Sequence, residues 1–191
     1  KWDGTTWTSF GTGVNNRVNA IAIENNDVFV GGAFTLAGGA SANRIAKWDG
    51  TSWTALGSGA SGQVNAIAVA NGVVYAGGEF LTMGGTNVNR IAKWDGTSWT
   101  ALGSGVNNIV SAVGISGNDI YVGGYFNSAG GTTINGIAKW NGTTWSALAT
   151  GITGSVRSIS IAGAEVYIVG SFTLAGNSYI KTIAKWNGSS W

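Results

Sequence analysis

The stretch IAKWDGTSWTALGSG runs from Ile45 to Gly59, and the same fifteen residues return from Ile91 to Gly105. Looser copies surround Lys1, Lys139 and Lys185. In every copy one tryptophan precedes an Asp-Gly or Asn-Gly dipeptide, at Trp2, Trp48, Trp94, Trp140 and Trp186. A second follows it, at Trp7, Trp53, Trp99, Trp145 and Trp191. Both columns step by 46 residues without insertion or deletion, and together they hold all ten tryptophans. A fixed period of this kind marks a repeat architecture, in which each unit buries its apolar face against its neighbours. The units run 1–46, 47–92, 93–138 and 139–184, and 185–191 opens a fifth.

Within a unit the pattern is strand after strand. Val18–Ile23 is a short β-branched run, followed by the polar turn Glu24-Asn25-Asn26. Asp27–Val30 leads into Gly31-Gly32, with Phe34 just beyond, and Thr35–Asn43 reads as a small-residue loop. Arg44–Trp48 and Thr51–Leu56 flank Asp49-Gly50, a strong hairpin signal because a tight two-residue loop needs positive φ. That register pairs Trp48 with Thr51 and Ala46 with Trp53, which puts both tryptophans on one face as diagonal neighbours. Ile45, Thr54 and Leu56 then fall on the other face. Apolar residues on both faces describe a sheet sandwiched between neighbours. The predicted fold is all-β: a β-propeller of four 46-residue, four-stranded repeats, within a larger array or assembly.

The segments VFVGGAF, VVYAGGEF, DIYVGGYF and EVYIVGSF, each followed by a Trp in the next hairpin, resemble kelch-type propeller repeats. They are similar, more closely still, to tandem repeats of secreted bacterial and fungal surface proteins with galactose-oxidase-like propellers. The resemblance spans essentially the whole chain and implies a propeller fold and an extracellular location. Val169-Gly170 replaces the double glycine in the fourth copy, a departure from the kelch pattern. The copper ligands of galactose oxidase are not carried over, because the chain has neither His nor Cys.

Composition narrows the chemistry. Hydrophobic residues make up 44% and charged ones 9%, about a third of the usual charged share, so Thr, Ser, Asn and Gly must cover the surface. The net charge is +2 with no run of Lys or Arg, which leaves no electrostatic footprint for nucleic acid. No apolar run has the length of a membrane span. Without histidine the commonest general base is missing, and without cysteine so is the thiolate. Asp3, Asp49 and Asp95 occupy a turn position where Asn141 and Asn187 also stand, which reads as turn chemistry rather than catalysis. Asp27 and Asp119 start a strand where Val73 and Glu165 also occur, and Asn25-Asn26-Asp27 lacks a counterpart in the second and fourth copies. No catalytic, cofactor-binding or metal-binding residue is assigned, and no enzyme activity is expected.

Two columns carry the remaining functional readings. Lys1, Lys47, Lys93, Lys139 and Lys185 read as aliphatic stems over apolar surface, or as a repeated ligand contact. Trp2, Trp48, Trp94, Trp140 and Trp186 border the turn, so their rings read as packing between sheets or as a ligand platform for glycans. The expected function is a structural or interaction module in adhesion, surface display or filament assembly; the alternative is a multivalent carbohydrate-binding propeller. The expected partners are other copies of the chain or neighbouring repeats. Because the same piece, Lys1–Trp7 and Lys185–Trp191, occurs at both ends, the chain is expected to be an excerpt or a subunit completed by its neighbours.

Overall fold

The computed structural model describes every residue from Lys1 to Trp191. Strands supply all of the regular structure. The first sheet consists of Val18–Glu24, Asp27–Gly32, Ile45–Trp48 and Trp53–Ala55, hydrogen-bonded in that order and antiparallel throughout. The second repeats it with Val64–Ala70, Val73–Gly78, Ile91–Trp94 and Trp99–Ala101, and the third with Val110–Ser116, Asp119–Gly124, Ile137–Trp140 and Trp145–Ala147. The fourth has three strands, Ile152–Ala162, Glu165–Ala175 and Ile183–Trp186; Trp191 reaches the place where the next strand would start.

Each sheet straddles a border between sequence units. The first takes two strands from residues 1–46, its third strand crosses the border, and its fourth belongs to 47–92. The first strands of successive sheets lie against one another, so the four sheets stand face to face in a row. Cores form between sheets rather than within them. Phe29 and Ile45 of the first sheet join Val64, Ile67, Val74 and Ala76 of the second in one buried cluster. Tyr121 and Ile137 of the third do the same with Val156, Val166 and Ile168 of the fourth.

Close approach of the sheets depends on one glycine column. A Cβ at Gly123 would stand 2.6 Å from Cγ1 of Val156, and one at Gly31 or Gly77 would be nearer still to Val64 or Val110. The valine side chain of the following sheet fills the volume that a side chain at the glycine would take, and interiors this dense leave no slack.

The hairpin after the third strand differs from the expected register. Trp48 pairs with Trp53, Lys47 with Thr54 and Ala46 with Ala55, so Asp49–Ser52 form the connection and the two indoles are directly opposite. Positive φ is confined to Gly50. The cause lies in the aspartate. Its Oδ1 accepts the Thr51 and Ser52 N–H groups, each at 2.8 Å, along with the Thr51 hydroxyl at 2.8 Å. Side-chain oxygen therefore replaces the backbone carbonyl that a tighter turn would use. The pair of positive-φ residues sits instead at Gly38-Gly39 (61° and 83°), where the segment read as a loop makes a miniature hairpin, Leu36–Ala37 against Ala40–Ser41. Glycine takes that conformation without steric cost.

Candidate functional site at the sheet faces

The repeated tryptophans act as latches between consecutive units. Trp53, Trp99, Trp145 and Trp191 each donate the indole N–H to a backbone carbonyl 43 residues earlier: Phe10, Leu56, Leu102 and Leu148, at 2.8 to 3.1 Å. Each also packs at a tilt against its hairpin partner, as in Trp94–Trp99 with centroids 5.4 Å apart and ring planes at 47°. Trp7 has the sequence of the column without its environment: it is 79% exposed, whereas Trp99 is 4% exposed.

The first tryptophan column is not uniform. Trp2 is exposed, Trp48 and Trp94 are half-buried, and Trp140 and Trp186 are buried. The ring edges of Trp48, Trp94 and Trp140 lie over the backbone of Gly11, Gly57 and Gly103, which covers part of the surface that a platform would offer.

The lysine column has a use that the sequence reading missed. Lys47 pairs with Asp27 at 2.9 Å, Lys139 with Asp119 at 3.0 Å and Lys185 with Glu165 at 2.7 Å, each partner lying one strand over and 20 residues earlier. In the second copy Val73 takes the acidic position, and Lys93 makes no ion pair. The spacing of 20 between lysine and acid in three copies was the available signal. The hydrogen bond from Lys185, with a second from Tyr167, holds the Glu165 carboxyl below its ordinary range, and the bond to Asp119 raises the Lys139 ammonium. Such partly exposed pairs contribute little stability; each ties the second strand of its sheet to the third.

Asp3, Asp49 and Asp95 hold their carboxyls well below the ordinary range, chiefly because two backbone N–H groups donate to each. Asn141 and Asn187 accept the corresponding pairs of N–H groups at 2.8 to 3.0 Å through one amide oxygen. No three acidic side chains gather at one place. Between the third and fourth sheets a cleft of about 370 Å³ is lined by Asp119, Tyr121, Lys139, Ser146 and Trp186.

The largest departure from repeat symmetry is at the open ends of the row. Ile21 and Ile23 on the first sheet are 59% and 64% exposed, and Val18 beside them is exposed as well. The equivalent Val64 and Ile67 are buried beneath the preceding sheet. On the last sheet Ile183 is 60% exposed, although Ile45, Ile91 and Ile137 at the same position are fully buried.

The arrangement of four face-to-face sheets is shared with solved structures. The chain is similar to the β-propeller domain of the Trilobed protease from Pyrococcus furiosus, reported to have an open velcro topology. Identity is 11%, coverage 88% of this chain and 51% of that one, and the TM-score 0.56. The fold is a β-propeller. The sheets are therefore its blades. Two computationally designed proteins are also similar: Ika8, at 17% identity over 91% of this chain and 47% of that one, and Ika4, at 16% identity over 91% and 92%. Both have a TM-score of 0.60. The chain thus spans about half the length of Ika8 and of the protease domain. No protein-family model matches the chain, and no curated protein matches it by sequence.

Proposed function

We propose that the chain is an extracellular structural and interaction module, serving adhesion, surface display or filament assembly through blade-to-blade docking. The observation that carries this reading is the first blade's face, with Val18, Ile21 and Ile23 exposed where their counterparts in the next blade are covered by a preceding blade. Neighbouring exposed isoleucines on one sheet face favour burial against a matching surface. The joints inside the molecule support another blade of the same repeat as that surface, and a second copy offers one at its fourth blade. Sedimentation velocity from micromolar to millimolar protein tests the reading. Association should rise with concentration, and Ile21→Lys should abolish it without lowering the melting temperature. A chain that stays monomeric throughout refutes self-docking. Detection only in the cytosol of the producing cells refutes the extracellular assignment.

A second reading, glycan binding, draws on the cleft between the third and fourth blades, where the largely buried Trp186 and Tyr121 present only the edges that line it, beside the polar groups of Asp119, Lys139 and Ser146. Aromatic surface beside hydrogen-bonding groups is the combination that saccharides use. Titration against a panel of soluble sugars, followed by tryptophan fluorescence, tests it; a flat response across the panel removes it.

A further inference from the structure

The fourth blade has a different outgoing face from the other three, and the differences fall where the blades come closest. At the positions of Ala20, Ala22 and Gly31 it carries Ser158, Ser160 and Val169. These positions share one face: Ser158 is paired with Val169, as Ala20 is with Gly31. Ile183 on the same face is kept from Ile45, so the apolar contact surface is preserved around the altered centre.

We propose that Val169 is a steric restraint on the outgoing face of the fourth blade, weakening docking of a second copy's first blade there. In each internal joint a valine, Val64, Val110 or Val156, occupies the volume that a Cβ on the opposing glycine would need. Val18 is the same valine in the first blade, and it is exposed. Docked with the geometry of the internal joints, Val18 of one copy and Val169 of the other claim the same space. The overlap involves the Cβ of Val169, which no rotamer moves, and β-branching restricts χ1 of both valines further. The joint must widen instead, and a gap of a fraction of an ångström already forfeits much of the dispersion attraction around it. The hydroxyls of Ser158 and Ser160 add groups that must be dehydrated. Ile183 still rewards contact. The result is a joint of the same design as the internal ones but weaker.

This inference rests on the docking reading above, and one set of variants separates the two. Val169→Gly restores the residue of the other three blades and should shift the sedimentation midpoint for association to a concentration about tenfold to a hundredfold lower. Val169→Thr, which keeps the volume, should behave as the parent does. Ile21→Lys added to Val169→Gly should return the protein to monomer. Should the single glycine loosen its strand, Ser158→Ala and Ser160→Ala beside it restore the full surface of the first blade's outgoing face for the same measurement. If parent and Val169→Gly associate at equal concentrations and both need Ile21, the restraint is wrong and the docking reading stands. If Val169→Thr assembles like Val169→Gly, the steric account is wrong. If neither parent nor Val169→Gly associates, or association ignores Ile21→Lys, the docking reading falls and the restraint falls with it.

Discussion

Trp99 and Trp7 occupy the same position of the same motif, yet removing them should have very different effects. Trp99 is 4% exposed; its indole N–H donates to the Leu56 carbonyl at 2.9 Å, and its ring packs at a tilt against Trp94. Gly84 lies so near that a Cβ there would meet the indole at 2.9 Å, so no room exists for the surroundings to settle in another way. Trp99→Ala leaves a cavity between two blades and a carbonyl without its donor, at a cost of about 3–5 kcal/mol. For a chain of this size that lowers the melting temperature by about 6–20 °C. Trp7 is 79% exposed and touches Trp2 with centroids 5.5 Å apart. Trp7→Ala should cost less than about 1 kcal/mol, a shift of at most about 4 °C. Near-ultraviolet circular dichroism during thermal unfolding reads both, since the signal comes from the tryptophans' packing. Equal shifts for the two variants, or a Trp99→Ala protein that melts with the parent, would refute the inter-blade latch.

Three further outcomes follow from named contacts. The carboxyls of Asp3, Asp49 and Asp95 have folded pKa values below their unfolded ones, so the ionised form favours folding. That contribution is complete above about pH 4 and is lost as pH falls through the lower folded values; replacing all three by Asn should flatten the acid limb of melting temperature against pH, and an unchanged slope would contradict it. Gly77→Ala places a methyl group against buried Val110 and should cost about 1–3 kcal/mol; urea unfolding that superimposes on the parent's would show the blades can part freely. Thr182 holds a φ of 64° where the third blade has Gly136 at 68°, so Thr182→Gly should stabilise by about 1 kcal/mol; calorimetry showing a loss would mean that the hydroxyl or methyl matters more than the strain.

The period, the strand-only character and the apolar content of both sheet faces were legible because they are repeated, and repetition separates a constraint from an accident. Detail was lost where one dipeptide was read alone. Asp49-Gly50 suggested a two-residue loop, while the hydroxyl residues Thr51 and Ser52, with Thr or Ser at both positions of all five copies, held the information about the carboxylate that organises a wider turn. Gly38-Gly39, inside the small-residue stretch that reads as a loop, makes the tighter turn. The lysine–acid pairs needed two strands to be considered together. The exposure of Trp7 and Ile21 was illegible in principle from the motif, since the same letters are buried elsewhere; only the absence of a covering blade distinguishes them.

Each blade borrows its fourth strand from the following unit, so the stretch IAKWDGTSWTALGSG lies within a blade and spans its third and fourth strands. Unequal crossing-over between its two identical copies, Ile45–Gly59 and Ile91–Gly105, would add or delete one full period. The exchange swaps the outer half of one blade for the equivalent half of another, with the turn aspartate and both tryptophans of the hairpin already in place. Every such exchange leaves the joined blade with its four strands in the same order. A join made anywhere within this stretch thus costs the protein no strand pairing, and the length of the array can change by whole blades without passing through a broken sheet.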